Sequence, residues 1–512
     1  MPFRSTVLTT HNVPVAIRVM GPPNGLQNAH KSVRCRPVRV VFAAAEVAPY
    51  AKVGGLADVA GSLPQALAGL GHDVSVYLPF HRSIDPRRFA IPDAAPSRSV
   101  PYGRSHVRVS YPSVVRDGVR TVFVRSDARI GRDKVYGYPD DAKRYALFAR
   151  AVATDLAETE ARPDVIHAHD WHAALLVPMA AGPYRRTLRG AATVFTIHNL
   201  AYQGQSPSGV LELVGLPSRR VKPESPGCVN PMARAIASAD IVSTVSERYA
   251  QEILTEEFGA GLQDLLASRT DGLWGIVNGI DVDVFDPATD RHISARYSAA
   301  DVRGKAQDKA ALQKELGLAV DARLPLFGVI GRLVEQKGID ILTPVAGEIL
   351  RAGAQIAVLG TGEPRYEEMW KELAGRHTGM LSLTLGFDAA LAQRIYAGSD
   401  MFLMPSRFEP CGLGQLIAFR YGTVPVVRAV GGLADTVRDA DADRRRGTGF
   451  SFSGYAPAAL LEAAGSAVRA YRDEARWASL RERVMRLDHS WTASAKRYVE
   501  MYEAAREARR AA

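Results

Sequence analysis

Cysteine is scarce in this chain and is not arranged for cross-linking. Cys35, Cys228 and Cys411 are the three cysteines among 512 residues, and no two of them form a CxxC pair. Disulfide frameworks and structural zinc sites both need more numerous or more closely spaced cysteines. The cysteine pattern therefore excludes both kinds of scaffold and indicates a reducing compartment.

Long apolar runs are also missing, and so are acidic residues near the amino terminus. No run approaches the roughly 18 apolar residues of a membrane-spanning helix, so we expect a soluble chain with no membrane partner. Residues 1–36 contain no Asp or Glu and carry only basic charges, at Arg4, Arg18, Lys31, Arg34 and Arg36. They also lack the apolar centre of a secretory signal. We therefore expect a basic, disordered extension over 1–37, or an organelle transit peptide.

A concentrated basic surface is lacking as well. Lys and Arg exceed Asp and Glu by 64 to 54, which gives a net charge of +10, but the basic residues are spread along the chain. Nucleic-acid-binding segments combine clustered basic residues with aromatic ones, and no such segment is present. We expect no nucleic-acid partner. Walker loops, nucleophile elbows and GxGxxG dinucleotide signatures are absent from their required contexts too.

What the sequence does contain is a regular alternation of buried strands and helices. Continuous apolar runs, the pattern of strands in helix-covered parallel sheets, occur at 38–46, 74–79, 121–124, 164–167, 192–198 and 241–245. A second series starts at residue 326. The sequence predicts an α/β protein in which two Rossmann-like parallel-sheet domains face a central cleft. We expect these domains at 38–285 and 286–489, followed by a C-terminal helix at 490–512.

Residues 401–437 place polar groups at the ends of two predicted strands. The apolar run 401–404 is followed by Glu409 and Cys411, and the run 424–427 leads into a Gly-Gly pair. Open α/β sheets bind ligands at the carboxyl ends of their strands. This stretch therefore predicts one wall of a binding site.

The phrase Val-Gly-Gly-Leu-Ala-Asp occurs twice, at 53–58 and at 430–435. Paired glycines permit a close approach to the backbone, and the free N–H groups of a helix start favour an anion. One such loop in each domain predicts an anionic ligand between the domains. The alternative is two tight turns without a ligand, because a short glycine motif is weak evidence alone.

Two cations, Arg332 and Lys337, follow the predicted strand 326–330. Arginine supplies a planar fork and lysine a compact charge, and together they suit a diphosphate. The alternative is a pair of solvated surface charges.

Three histidines follow another predicted strand, at His167, His169 and His172. Their spacing does not match a zinc helix motif, and no Cys/His cluster accompanies them. We expect no metal, and one histidine that hydrogen-bonds a neutral polar ligand in the cleft.

Seven motifs run in one order along the chain. They are KVGGLADVAGSLPQAL at 52–67, HAHDWHAAL at 167–175, TIHNLAYQG at 196–204, NGID at 278–281, GRLVEQKGID at 331–340, PSRFEPCGLGQL at 405–416 and GTVPVVRAVGGLADTV at 422–437. Together they resemble the bacterial glycogen synthase and plant starch synthase family. The resemblance implies a GT-B fold and the transfer of glucose from ADP-glucose to the non-reducing end of glycogen or another α-1,4-glucan, with retention of configuration. ADP-glucose is then a substrate, and no cofactor is implied.

The resemblance also implies roles for individual residues. Glu409 and His169 would hold the glucose, while Arg332 and Lys337 would neutralise the leaving diphosphate. The implied substrate-binding residues are Lys52, Gly54, Gly55, Asn199, Phe387, Cys411, Gly412, Leu413, Gly431, Gly432 and Leu433. Phe387 stands where the family often has Tyr, and could stack on the base.

Two positions depart from the family pattern. Residues 233–235 are Ala-Arg-Ala where relatives have a Lys-Gly-Gly turn, and Ile417 stands at the second glutamate of the E-x7-E pattern of other GT-B families. Ribose recognition must therefore differ from theirs. No second carboxylate is obvious for a covalent sugar intermediate, so we expect a same-face displacement in which the leaving phosphate helps to deprotonate the acceptor.

Other functions and locations stay open at this point. One alternative is a related retaining GT-B transferase that uses UDP-glucose or a small acceptor, and another is a non-catalytic glucan-binding protein. The short chain, without the long amino-terminal arm of the plant relatives, favours a bacterial cytoplasmic protein. A plastid protein is the alternative if residues 1–36 are a transit peptide.

Overall fold

The computed structural model describes residues 36–159, 162–269 and 272–511, which form two α/β lobes. The predicted basic extension lies almost entirely outside these residues. Within the described ranges, no helix is both long and apolar enough to cross a membrane.

The first lobe is organised around one large sheet. The strands of this lobe are β1 (Arg39–Ala43), β2 (Asp73–Pro79), β3 (Ser97–Tyr102), β4 (Ser105–Ser110), β5 (Ser113–Arg116), β6 (Val119–Val124), β7 (Val165–His169), β8 (Ala192–Ile197), β9 (Ser206–Pro207), β10 (Cys228–Val229), β11 (Ile241–Thr244) and β12 (Leu273–Gly275). Two antiparallel pairs, β3 with β4 and β9 with β10, form separate small sheets. In the described residues the large sheet has the order β12-β11-β8-β7-β1-β2-β6-β5. All its pairs are parallel except β5 with β6.

The helices of this lobe cover both faces of the sheet. They are α1 (Gly55–Gly69), α2 (Asp141–Glu158), α3 (Asp170–Ala174), α4 (Leu176–Ala181), α5 (Gly209–Leu213), α6 (Pro231–Ser238), α7 (Glu247–Glu252) and α8 (Gln263–Ala267). Because of this cover the central strands β7 and β8 are buried along their whole length, as their continuous apolar runs predicted.

The second lobe has a six-stranded sheet, all parallel in the described chain, with the order β15-β14-β13-β16-β17-β18. These strands are β13 (Leu326–Ile330), β14 (Gln355–Gly360), β15 (Leu381–Leu385), β16 (Met401–Met404), β17 (Val424–Arg428) and β18 (Phe450–Phe452). The remaining helices are α9 (Arg303–Glu315), α10 (Ile339–Arg351), α11 (Pro364–Arg376), α12 (Ala389–Gly398), α13 (Gly414–Arg420), α14 (Gly431–Thr436), α15 (Pro457–Tyr471), α16 (Glu474–Met485) and α17 (Trp491–Ala511). The predicted α/β class with two parallel sheets is confirmed.

The last helix, α17, returns to the first lobe. Its buried side chains, among them Tyr498 and Tyr502, belong to the same apolar core as β1 and β8. The second core runs from Ile280 to Met485. Core membership thus changes between Ile276 and Ile280, a few residues before the expected boundary at 285.

The two chain crossings between the lobes lie side by side. The Ile280 N–H donates to the His489 carbonyl oxygen over 2.8 Å. A Cβ at Gly279 would come within 2.5 Å of the Trp491 nitrogen, so a glycine is required for this close approach. The crossings therefore form one compact connection at the edge of the interlobe cleft.

Candidate functional site

A cavity of about 1540 Å³ lies between the lobes. The first lobe contributes the loops after β1, β7 and β8, and the second contributes the loops after β13 and β16. Carboxyl ends of parallel strands therefore face each other across the cleft, where open α/β sheets bind ligands. Nine of the predicted site residues line it: Gly54, Gly55, Asn199, Arg332, Lys337, Glu409, Cys411, Gly412 and Leu413.

Glu409 is one of the carboxylates that line the cavity, and it is 6% exposed. It accepts hydrogen bonds from Lys337 Nζ over 2.6 Å and from Ser406 Oγ over 3.0 Å. A charge-assisted pair in a partly buried site is strong and geometrically fixed. The loop after β16 thus brings a carboxylate beside a cation from the loop after the neighbouring strand β13.

Arg332 is the more accessible of the two predicted cations. Its guanidinium Nη2 donates to Gln336 Oε1 over 2.9 Å, and the side chain is exposed to the cleft. Arg332 and Lys337 therefore share one wall of the cavity, with no carboxylate on the arginine among the described residues.

The turn from Cys411 to Leu413 borders the same wall. Gly412 has a positive φ of 72°, and its backbone approaches the Gln415 side chain, which donates to the Cys411 and Gly412 carbonyl oxygens. Burial raises the pKa of the Cys411 thiol to about 12. The thiol is therefore protonated near neutral pH and is no nucleophile.

On the opposite wall, the loop before α1 is held by Glu46. Its Oε2 accepts hydrogen bonds from the N–H groups of Val53 and Gly54 over 2.5 and 2.9 Å. Its Oε1 lies 3.4 Å from the Tyr136 hydroxyl. Burial raises the pKa of Glu46. The helix start that we predicted for an anion thus already binds a carboxylate of its own lobe.

The histidine segment after β7 is next to this wall, with His169 buried beneath the surface and His172 in the cavity lining. His169 is fully buried, and its Nδ1 lies 2.9 Å from His198 Nε2. His169 Nε2 has no hydrogen-bond partner within the described chain. His172 and His198 line the cavity itself, and burial lowers the pKa of both to about 3. These imidazoles are neutral near neutral pH and can hydrogen-bond an uncharged ligand.

Two family models match the chain: the starch synthase catalytic domain over residues 39–268, and the glycosyl transferases group 1 over residues 325–469. A glycogen synthase from Geotalea daltonii is 44% identical over 476 residues, which cover 91% of this chain and 98% of that relative. The chain belongs to the glycogen synthase and starch synthase family. Another member, glycogen synthase 2 from Geobacter sulfurreducens, is 44% identical over 92% of this chain and 100% of its own.

Solved structures agree with this family assignment. The catalytic domain of starch synthase IV from Arabidopsis thaliana, bound to ADP and acarbose, superimposes with a TM-score of 0.85 at 36% identity, covering 92% of this chain and 100% of that one. A sucrose-phosphate synthase from Thermosynechococcus elongatus shares the fold alone, with a TM-score of 0.57 at 18% identity. This family member is therefore a glycosyltransferase of the GT-B fold, as the motifs predicted.

Six predicted site residues of this glycosyltransferase do not line the cavity: Lys52, His169, Phe387, Gly431, Gly432 and Leu433. Lys52 Nζ is paired with Asp58 over 2.6 Å, and its side chain is 51% exposed. Phe387 is 90% exposed on the loop after β15. Their contacts with the donor stay predictions, and so does the glucose contact of His169.

The second Gly-Gly-Leu loop makes contacts that the sequence repeat did not predict. Gly431 and Gly432 are buried, and the Gly431 N–H is bonded to Glu252 of the first lobe. A Cβ on Gly431 would overlap the Glu409 carbonyl oxygen, and one on Gly432 would overlap that of Cys411. These glycines support the Glu409 loop from beneath, and the Gly431 N–H binds Glu252 here. Anion binding at residues 431–433 stays a prediction.

Two cavity residues of the family member escaped sequence reasoning, Glu46 and Asp170. Asp170 has a positive φ of 55°, and its Oδ1 accepts the His198 N–H over 2.8 Å. Burial raises its pKa to about 7. Asp170 directly follows β7 and Glu46 lies in the loop just after β1, both on the cavity side. The strand-end rule that found Glu409 could therefore have found them.

No group of three or more His, Cys, Asp or Glu side chains within residues 36–159, 162–269 and 272–511 is arranged to hold a metal ion. The expectation of a metal-free, cofactor-free reaction stays a prediction.

Proposed function

We propose that this family member transfers glucose from ADP-glucose to the 4-hydroxyl at the non-reducing end of an α-1,4-glucan, and so elongates glycogen or starch. The observation that carries the proposal is the Lys337–Glu409 pair, 2.6 Å apart, in the wall of the interlobe cavity. Lys337 and Arg332 supply positive charge for a leaving diphosphate, and Glu409 supplies an acceptor for sugar hydroxyls. The ADP bound to the starch synthase IV relative supports an adenine nucleotide donor.

The first-lobe part of the cavity supports a glucan acceptor. Its aromatic lining includes Tyr102, Tyr136, Tyr138, Trp171 and Tyr202. Aromatic side chains offer apolar faces together with polar edges, which suits a sugar ring with its hydroxyl groups. The cavity is larger than a nucleotide sugar needs, because ligand pockets typically measure about 300 to 1,000 Å³. The remaining space accommodates the end of a glucan chain.

The reaction is a same-face displacement that retains configuration. The bond between glucose C1 and the diphosphate oxygen breaks as acceptor O4 bonds to C1, and the acceptor proton passes to the leaving phosphate oxygen. Arg332 and Lys337 stabilise the charge that develops on the diphosphate. Glu409, oriented by Lys337 and Ser406, holds the sugar for the attack.

A covalent glucosyl intermediate is the competing route, and the cavity does contain further carboxylates. Glu46 accepts two backbone N–H groups and Asp170 accepts that of His198, so hydrogen bonds already engage both. A slow donor analogue, followed by intact-protein mass spectrometry, tests the point. The displacement predicts unmodified protein, and a glucosyl adduct on Glu46, Asp170 or Glu409 would contradict it.

The proposed function is tested by a transfer assay. Labelled ADP-glucose and UDP-glucose are each offered with a glycogen primer or with maltose, and incorporation into polymer and into small products is measured. We expect ADP-glucose with glycogen to give the highest kcat/KM. Preferred use of UDP-glucose or of the small acceptor would reassign the substrate, and binding of glycogen without transfer from either donor would overturn the enzymatic assignment.

We also propose a cytoplasmic location, supported by the bacterial origin of the relatives. Sequencing the mature amino terminus tests it. Cleavage within residues 1–36 would indicate an organelle transit peptide instead.

A further inference from the structure

An interlobe contact connects the catalytic carboxylate to the opposite lobe. The carboxylate of Glu252, at the end of α7, accepts the N–H of Gly431, at the start of α14, over 3.2 and 3.0 Å. Glu252 belongs to the first lobe and Gly431 to the second. Glu252 is 5% exposed, so this charge-assisted hydrogen bond is shielded from water.

The same two helices make the reverse contact. The carboxylate of Asp435, on α14, accepts the N–H of Arg248, on α7, over 3.2 and 3.0 Å. Each helix thus supplies an acid to a backbone N–H group of the other. Paired contacts in opposite directions fix both the distance and the rotation of two elements better than one contact does.

The α14 end of this pair lies directly under the catalytic loop. The Gly432 N–H lies 3.2 Å from both the Glu409 and the Pro410 carbonyl oxygens. A side chain on Gly431 would overlap the Glu409 carbonyl oxygen, so the two backbones are in direct contact. A shift of Gly431 must therefore shift the backbone of Glu409, because packed interiors leave no free space to absorb it.

The ion pair on Glu252 is a weaker candidate for the same role. Arg248 Nε lies 2.9 Å from Glu252 Oε1, but the arginine side chain is 51% exposed. Exposed ion pairs contribute little because water and salt screen them. The backbone contact with Gly431 is the one that reaches the site.

We propose that Glu252 is a positioning residue for Glu409, acting through Gly431, so that the orientation of the catalytic carboxylate depends on how the two lobes are docked. The proposal rests on the proposed function, since Glu409 must act in transfer. Glu252 touches no substrate. Removing the Glu252 carboxylate should lower kcat. The donor contacts of Arg332 and Lys337 should remain, so the KM for ADP-glucose should change little.

The experiment compares Glu252→Ala with the matched control Arg248→Ala in the full-length enzyme. Glu252→Ala removes the Gly431 contact and is expected to lower kcat about 10- to 100-fold, since small misplacements of catalytic groups have effects of this size. KM for ADP-glucose is expected to stay within about threefold, a smaller change than a lost uniform-binding contact would give. Arg248→Ala removes only the ion pair and is expected to keep near wild-type kcat and KM.

A double-mutant cycle separates positioning from general structural damage. If Glu252 acts through Glu409, adding Glu252→Ala to Glu409→Ala causes no further loss of kcat. An equal loss of kcat in both backgrounds, or a wild-type kcat in Glu252→Ala, would overturn the proposal.

If Glu252→Ala does not fold, Glu252→Asp replaces it, because it keeps the charge but withdraws the oxygens by one bond, about 1.5 Å. A wild-type kcat in Glu252→Asp would overturn the proposal equally. If wild-type transfer or the Glu409→Ala defect is itself missing, the proposed function fails instead.

Discussion

The two Gly-Gly-Leu loops have nearly the same sequence but face different surroundings. Gly54 and Gly55 line the interlobe cavity, whereas Gly431 and Gly432 are buried beneath the loop that carries Glu409. Both helix starts bind a glutamate, but Glu46 comes from the same lobe and Glu252 from the opposite one. A repeated motif therefore specifies a local turn with free N–H groups, and the surrounding fold decides what those groups bind.

The largest effect on activity is expected at Glu409, which the second Gly-Gly-Leu loop supports, and at its partner Lys337. Glu409→Ala or Lys337→Ala should lower kcat by about 100-fold or more, because each removes a charge placed at the reacting centre. The fold should stay intact, but Lys337→Ala leaves the buried Glu409 carboxylate without its cation and should lower the melting temperature. Steady-state kinetics beside a melting curve check both statements, and near-normal rates in both variants would discredit the site.

The next largest effect separates the two loops directly. Gly431→Ala places a Cβ against the Glu409 carbonyl oxygen at a φ of 45°, and strain of this kind costs about 1–3 kcal/mol of unfolding free energy. Gly54→Ala meets only Glu46 Oε1 at 3.5 Å, with an extended φ of −139°. We expect the first variant to lose stability and kcat, and the second to fold normally with a raised KM for the donor. Urea unfolding measures the stability of both variants. If Gly431→Ala and Gly54→Ala are equally destabilised, the two loops do not differ in the way described.

A smaller effect concerns how Asp170, in the cavity wall, makes folding stability depend on pH. The folded pKa of Asp170, about 7, exceeds its usual 3.8, so the native state binds the extra proton between these values. Its contribution to stability therefore falls as pH rises from about 4 to about 7 and is constant above. Asp170→Asn should flatten this part of the profile. The stability contributions of His172 and His198 rise with pH, because their folded pKa values are lowered. The measurement is therefore the difference in unfolding free energy between Asp170→Asn and wild type at several pH values. If this difference in unfolding free energy does not change with pH, the raised pKa of Asp170 is refuted.

The smallest stability effect is expected at Lys52. Its pair with Asp58 is half-exposed, and such pairs contribute about 0–1 kcal/mol. Lys52→Ala should leave the melting temperature nearly unchanged. A raised KM for ADP-glucose would support the predicted donor contact of the first loop, and an unchanged KM would remove it.

The strands and the cavity wall were largely predictable from sequence. Continuous apolar runs identified the central strands because burial on both faces demands them, and the polar breaks after β13 and β16 identified Lys337 and Glu409. The contact between Gly431 and the Glu409 loop was not predictable, because local sequence does not record that this loop lies above Gly431. Glu252 was missed for the same reason, since its partner lies 179 residues away.

A structure of the protein with ADP bound tests the central claim most directly. The account predicts the diphosphate between the wall of Arg332 and Lys337 and the loop of Gly54 and Gly55, with the Gly431 N–H still bonded to Glu252. A diphosphate bound away from Arg332 and Lys337, or a Glu252 carboxylate displaced from the Gly431 N–H, would contradict it.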